Sequence, residues 1–170
     1  MSDCPIENYC YYQSPIGLIR MGETGGFLTG ANFVEQSPES EHFQSDSISS
    51  SSTLLKETCR QLDEYFEGKR QKFDLALQPH GTDFQRSAWE SLLRIPYGET
   101  RSYLQQAESI LNPRAIRAIG QANSRNPIPI IIPCHRVIGI NGSLTGYAGG
   151  LDRKTRLLAL ERSFMHEQNY

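Results

Sequence analysis

Pro133-Cys134-His135-Arg136 follows the apolar run Ile130-Ile131-Ile132, so a thiol and an imidazole sit side by side at the mouth of a segment expected to be buried. That pairing could make a sulfur nucleophile. The thiolate is the reactive form, and a free cysteine has a pKa of roughly 8.5, so a neighbouring base must take its proton near neutral pH. Adjacency alone does not deliver this, because consecutive side chains point apart on most backbones. The two could be bridged by a water, or Cys134 could be a small buried hydrophobe beside a surface imidazole. Pro127, Pro129 and Pro133 exclude helix and predict a stiff extended segment that delivers Cys134.

A carboxylate lies downstream on a helical stripe. After Gly146-Tyr147-Ala148-Gly149-Gly150, residues 151–165 read as an amphipathic helix with Leu157, Leu158, Phe164 and Met165 on one face, and Glu161 falls on that face by the 3.6-residue period. A buried carboxylate needs a donor, and an imidazole that it orients is an economical one. The alternative is an exposed Glu161 at the stripe's edge, paired to Lys154 or Arg162 or to nothing.

The elements around these residues follow from punctuation. Thr82 with Gln85 three residues on is a capping box that opens a helix through about Leu93. A loop over residues 95–99 precedes a short helix expected from Thr100 or Arg101 to about Ser109, and Asn112-Pro113 reads as the N-cap and first residue of the next. Two helices joined by so short a turn make a helix-turn-helix. In the second, Ile116 and Ile119 are expected to face a core, while Ala115, Ala118 and Ala122 form a small-residue face, flanked by Arg114, Arg117 and Gln121, that could approach another surface closely or pack against a neighbouring helix.

The first half has a different rhythm. Residues 9–12, 17–21 and 27–33 read as three strands of an antiparallel meander separated by Ser-Pro and Gly-rich turns, and residues 35–52 as a flexible polar loop. A helix over 53–67 carries Leu55, Cys59, Leu62 and Phe66 on one stripe and stops at Gly68, and alternation of Phe73, Leu75 and Leu77 predicts a further strand. Pro79-His80-Gly81 marks a boundary, which divides the chain into domains 1–80 and 81–170. The fold class is α+β, a small sheet domain followed by a mainly helical one.

Composition narrows the partners. The 170 residues are 38% hydrophobic without a long apolar run, which speaks for a soluble chain with no membrane span, and the polar, acidic N-terminus is not that of a secreted protein. Cys4, Cys10, Cys59 and Cys134 are irregularly spaced, as free thiols of an intracellular protein are. Cys4, Cys10, His42 and His80 offer no close ligand pair, so no metal is expected. The formal charge of −2 hides a division: residues 1–80 hold 6 Lys+Arg against 12 Asp+Glu, whereas residues 111–160 hold 7 against 1. The half with the thiol can meet a phosphate backbone.

Together the residues Gly81-Thr82-Asp83-Phe84-Gln85, Trp89, Ile95-Pro96-Tyr97-Gly98-Glu99-Thr100, Ser102-Tyr103, Asn112-Pro113, Arg117-Ala118-Ile119-Gly120, Asn126-Pro127, Ile132-Pro133-Cys134-His135-Arg136-Val137 and Gly146-Tyr147 resemble the O6-alkylguanine-DNA alkyltransferases, also called methylated-DNA-protein-cysteine methyltransferases. The resemblance covers nearly all of residues 81–162. Before it, Ser14-Pro15-Ile16-Gly17 and Leu62-Asp63-Glu64-Tyr65-Phe66-Glu67-Gly68 are similar in layout to the family's N-terminal domain.

The resemblance implies an RNase H-like N-terminal domain and a helix-turn-helix whose second helix enters the minor groove. Arg117 would fill the stack left by an extruded nucleotide, with Asn112, Ala118, Ser124, Arg125 and Arg136 also at the DNA. It implies that Cys134 attacks the alkyl carbon on O6 of a flipped guanine, with O4-alkylthymine as a further candidate. His135 would take the thiol proton through a water, Glu161 would orient the imidazole, Asn126 would organise the loop and Tyr103 would donate to N3 of the leaving guanine. Carbonyls of Cys134 and Val137 would accept from the exocyclic amine, the Ala148 amide would donate to O6, and Pro129 and Tyr147 would line the alkyl pocket. The family's reaction needs no cofactor, its partner is double-stranded DNA containing O6-alkylguanine, and the expected protein is monomeric and cytoplasmic or nuclear. Some relatives hold a zinc in the N-terminal domain, but their ligand pattern is not visible here.

Two other classes fit parts of the pattern. Alkyltransferase-like proteins recognise the lesion without a cysteine, against which stands Cys134. A Cys-His hydrolase leaves the helix-turn-helix and the basic half without a role.

Overall fold

Two tight turns shape the first sheet. The Ser14 hydroxyl donates to the Gly17 carbonyl at 2.6 Å and accepts from the Ile16 amide at 3.2 Å, closing one hairpin. Gly25 and Gly26 have φ of 58° and 80°, the paired left-handed geometry of a type I′ turn, and close the next. The computed structural model describes residues 6–35 and 52–167, and the chain divides into two compact units between Pro79 and His80.

The first unit is a three-stranded antiparallel sheet in the order β1 (Asn8–Ser14), β2 (Gly17–Thr24), β3 (Phe27–Val34), with α1 (Thr53–Phe66) packed on it. Cys10 pairs with Met21, Met21 with Ala31 and Tyr12 with Ile19. These positions are buried with Leu55, Cys59, Leu62 and Tyr65 of the helix, which Ser52 caps by accepting from the Leu55 amide. Two expectations change. Tyr65, not Phe66, lies on the buried stripe. Residues 73–77 form no strand beyond a single bridge from Leu77 to Leu28, because the buried Gln61 side chain takes both backbone groups of Asp74 (2.9 and 2.8 Å) and so removes them from any ladder. The expected polar loop lies, but for its two ends, outside the described residues.

In the second unit, α2 (Asp83–Leu92) begins at the expected capping box, Thr82 and Gln85 bonding reciprocally. The next helix, α3 (Tyr103–Ser109), starts later than expected. Arg101–Ser102 is a short strand, β4, pairing in parallel with β5 (Val137–Ile138), and Ser102 then caps α3 through a second capping box. The following helix, α4 (Ile116–Ser124), also starts late, and Asn112 is not its N-cap. The Asn112 amide closes the C-terminus of α3 on the Ala107 carbonyl (3.0 Å), and its own carbonyl accepts from Ala115 (3.0 Å) in a separate turn. The last helix is α5 (Leu151–Glu167). No helix among the described residues is long and apolar enough to cross a membrane.

Ala88, Ala107, Ile119 and Ala122 pack as a core between α2, α3 and α4. Of the small-residue face, Ala122 thus packs on the neighbouring helices while Ala118 stays exposed, and Ile116, expected in the core, is 41% exposed in the first turn of α4. The Trp89 indole donates to the Ala122 carbonyl at 2.9 Å. Gln106 and Asn123, both buried, exchange amide hydrogen bonds (3.2 and 2.7 Å), and Gln106 also donates to Ser91 (3.1 Å). Such a pair fixes one angle between α3 and α4, since any other leaves buried amides unpaired.

Gln106→Leu should therefore destabilise the second unit by about 2 kcal/mol by orphaning Asn123, and Asn123→Leu added to it should restore most of that loss. Urea unfolding followed by fluorescence of Trp89, the single tryptophan, reads the difference. Equal losses in the single and double variants would show that the pair sets no geometry.

Candidate active site

The segment before Cys134 is not extended. It folds back in a buried turn, with the Ile132 amide on the Ile128 carbonyl at 2.9 Å and Ile128, Ile130, Ile131 and Ile132 all in the core. Prolines prevent helix here, and the apolar side chains draw the chain inward. Asn126, itself buried, holds the result: its carbonyl oxygen accepts from Ile128 (3.0 Å), and its amide donates to the Ile132 carbonyl (2.7 Å) and to Cys134 Sγ (3.2 Å). Ile130 has φ of 73°, an unfavourable conformation for a β-branched residue, so the turn is strained four residues from the thiol.

Cys134–Arg136 then forms one turn of 3-10 helix in which all three side chains are buried. This turn and α5 bring His135 and Glu161 together: Nε2 lies 2.8 Å from Oε1, and both side chains are 0% exposed. The same carboxylate accepts from Arg136 Nε (3.0 Å) and Nη2 (3.0 Å) and from the Gly98 amide (3.0 Å). Burial pushes the Glu161 carboxyl up, but His135 and the permanently charged Arg136 outweigh it and hold it well below the usual carboxylate range. Glu161 is therefore the anion of the cluster. An ionised carboxylate only accepts, so His135 must donate from Nε2, which leaves Nδ1 as an acceptor. That nitrogen is buried with no hydrogen-bond partner. Burial lowers the imidazole pKa, which keeps it neutral, and the Glu161 contact only partly opposes this.

Burial also pushes the Cys134 thiol up to about 11, against the Asn126 hydrogen bond and the nearby Lys154 ammonium, which both favour thiolate. Lys154, which the sequence offered only as a surface partner of Glu161, lies elsewhere. It is fully buried, and its Nζ donates to the Val137 carbonyl at 2.6 Å and the Thr145 carbonyl at 2.9 Å. Its signal was present: positions 154, 157, 158 and 161 share one helical stripe.

Thr145 O also accepts from the Tyr103 hydroxyl at 2.9 Å, so Tyr103 and Lys154 hold the loop before α5 from two sides. Pro129, Val137 and Tyr147 are buried and Ala148 is exposed. The Tyr147 hydroxyl is another buried group without a partner.

The residues expected at DNA divide. Asn112, Arg117, Ala118, Ser124 and Arg125 are exposed. Ser124 bonds back to the Gln121 carbonyl (2.8 Å), and Ala118 and Arg125 line a shallow pocket with Thr82, Gln85 and Gln121. Arg136 is different: it is 6% exposed, held by Glu161 and by the Ile95 carbonyl at 2.7 Å. Its guanidinium neutralises an internal carboxylate and does not face solvent. Among the described residues, no group of three or more His, Cys, Asp or Glu could hold a metal ion; Cys4 and His42 lie outside them.

Comparison with known proteins agrees with this arrangement. A family model described as the DNA binding domain of 6-O-methylguanine DNA methyltransferase matches residues 83–163, and one described as its ribonuclease-like domain matches residues 8–79. The methylated-DNA–protein-cysteine methyltransferase of Methanosarcina acetivorans is 50% identical over 155 residues, which cover 91% of this chain and 98% of that protein. The protein of the same name from Methanosarcina barkeri is 51% identical over 155 residues, 91% of this chain and 97% of its own. The crystal structure of Mycobacterium tuberculosis OGT in complex with DNA superposes with a TM-score of 0.80 at 46% identity, covering 92% of this chain and 94% of that one. With both units matched and half the residues shared across nearly the whole length, the chain belongs to the 6-O-methylguanine DNA methyltransferase family.

Proposed function

We propose that this protein repairs DNA by moving a methyl or other alkyl group from O6 of guanine in duplex DNA onto its own Cys134, once per molecule. The observation that carries the reading is the convergence of Asn126 on the thiol and of Glu161 on the adjacent His135, in a unit whose helix α4 presents Arg117 and Ala118 to solvent. The chain would act wherever it meets DNA, in cytoplasm or nucleus.

The target carbon cannot be reached inside a stacked duplex, so the nucleotide must be extruded, and Arg117 would occupy the gap and offset part of the unstacking cost. Sγ then attacks the alkyl carbon in line with O6: the S–C bond forms as the C–O6 bond breaks. The thiol proton passes through a water to Nδ1 of His135, the free acceptor. Glu161 stabilises the imidazolium that forms. Lys154 favours negative charge on sulfur during the attack and pins the Val137 carbonyl, which keeps a second lone pair for the guanine exocyclic amine.

Tyr103 would exchange the Thr145 carbonyl for N3 of the departing guanine and neutralise its charge, while the Ala148 amide donates to O6. Pro129 and Tyr147 would line the alkyl pocket. Because the donor at Ala148 is backbone, its side chain bears only on the size of adduct admitted. The product thioether is not readily reversed. No cofactor takes part, since the protein is itself the acceptor.

Cys134→Ala should abolish transfer while duplex binding survives, because the thiol contributes nothing to phosphate contacts. Mass spectrometry after reaction with methylated DNA should place one methyl group on the peptide containing Cys134. An adduct on Cys4, Cys10 or Cys59 would refute the assignment.

Glu161→Gln should slow transfer about tenfold or more, to duplex and to free O6-benzylguanine alike, with little change in DNA affinity. It should also cost about 3–5 kcal/mol of stability by leaving Arg136 buried without an anion. Because the native carboxyl is held low, the stability it supplies is present above its unfolded pKa and lost as pH falls through the native value. The variant should therefore lose less stability than the parent between neutral pH and strong acid. Equal transfer rates in both proteins would leave Glu161 with only a structural role.

Arg117→Ala should impair repair of duplex far more than reaction with free O6-benzylguanine, which needs no extrusion. A simple phosphate contact behaves otherwise, lowering affinity for all duplexes and the salt slope by about one unit, with recovery at low salt. Equal slowing on both substrates would sink the intercalating role.

A further inference from the structure

The turn between α3 and α4 holds a leucine where its backbone calls for glycine. The α3 helix ends in a Schellman closure, the Asn112 amide bonding to the Ala107 carbonyl at 3.0 Å and the Leu111 amide to the Glu108 carbonyl at 2.9 Å. The residue that reverses the chain in this motif is left-handed and usually glycine or, less often, asparagine, since most other side chains are strained there. Leu111 occupies it with φ of 58°. Its side chain returns nothing to the fold, being 93% exposed. Strain combined with exposure of a large apolar group is unfavourable on both counts in the isolated protein, and points to a partner outside it.

The surroundings identify that partner. Residues 110–125 carry Arg114, Arg117 and Arg125 and no acidic residue, and all three arginines are exposed with Asn112, Pro113 and Ala118. Leu111 thus opens the exposed, cationic segment that leads into α4, the helix that carries Arg117. Arginines answer phosphates. A leucine answers the deoxyribose carbons that form the walls of the minor groove, or a base step it can wedge apart. We propose that Leu111 is a DNA-contacting residue, presented by its strained cap so that its side chain packs on the apolar sugar surface of the minor groove beside the extruded nucleotide. This rests on the duplex-binding reading above and adds to it a contact that salt does not screen.

The test uses the full chain and an unmodified and an O6-methylguanine duplex. Leu111→Asn and Leu111→Gly both suit the left-handed backbone and both remove the apolar side chain. Each should weaken duplex affinity about tenfold, the effect of exposing most of a leucine side chain, with an unchanged slope of log Kd against log salt. Each should melt at or above the parent's Tm, and each should react with free O6-benzylguanine at the parent's rate. Leu111→Met, which keeps the apolar contact, should bind as the parent does. Parent-like affinity in the Asn and Gly variants overturns the proposal, and so does a salt slope that moves by about one unit. A lowered Tm also overturns it, by showing that the leucine packs within the fold, as does a change confined to self-association, which would put a second copy of the chain on Leu111. Failure of the parent itself to bind duplex would instead count against the DNA reading.

Discussion

One buried carboxylate organises the second unit. Glu161 reaches from α5 to His135, to Arg136 and to the amide of Gly98, so a single anion joins the last helix, the nucleophile turn and the loop after α2. An ion with no exposure is tolerable only if every lone pair is met, and here the partners are an arginine, an imidazole N–H and a backbone N–H. The geometry that satisfies the charge also fixes the imidazole's tautomer, and with it the nitrogen that can take a proton. On the proposed mechanism, folding and proton transfer thus depend on the same group. Arg136 serves the same end from inside, its other nitrogen bound to the Ile95 carbonyl.

Asn126 makes the second connection. It follows directly on α4, with its amide on the Asn123 carbonyl at 3.2 Å, while its side chain grips the Ile128–Ile132 turn and the thiol. The helix with the exposed arginine and the sulfur are therefore linked by one residue. The strain at Ile130 is maintained because the side-chain hydrogen bonds of Asn126 and burial of four isoleucines over-determine the turn. On the other side, β4 and β5 tie the start of α3 to the residue after the nucleophile turn, and Lys154 secures the loop that carries Tyr147 and Ala148.

Much of this was legible in the sequence where a local rule decided it. The Thr82 capping box, the meander turns and the stripe that places Glu161 inward all depend on residues within one or two turns of each other. What escaped was set by distant partners. The pairing of Arg101–Ser102 with Val137–Ile138 moved a helix start, and Gln61 dissolved a strand that alternation predicted at residues 73–77. Asn112 looked like an N-cap because Asn-Pro favours one, yet its carbonyl closes a separate turn on the Ala115 amide, and the first helical bond of α4 is made by the Ala115 carbonyl. Arg136 counted as surface charge only while its partner was unknown, and so did Lys154, whose acceptors are the carbonyls of Val137 and Thr145, both outside its helix.

Deep burial of a nucleophile is at first sight a handicap. With burial holding the Cys134 thiol well above the ordinary cysteine range, the protonated form dominates at neutral pH. The neighbouring imidazole is neutral too, so the resting site keeps its reactive pair uncharged while the fixed charges of Glu161 and Arg136 cancel each other. For an ordinary catalyst this would waste rate. For a protein consumed by its own reaction it prevents waste of the protein, because a protonated, enclosed thiol ignores the oxidants and stray electrophiles that an exposed thiolate would meet. Asn126 and Lys154 already favour charge on sulfur, but not enough to create it unaided. On the proposed mechanism the balance tips only when a leaving oxygen is aligned and His135 takes the proton in the same step, so that reactivity would appear with the lesion and not before it.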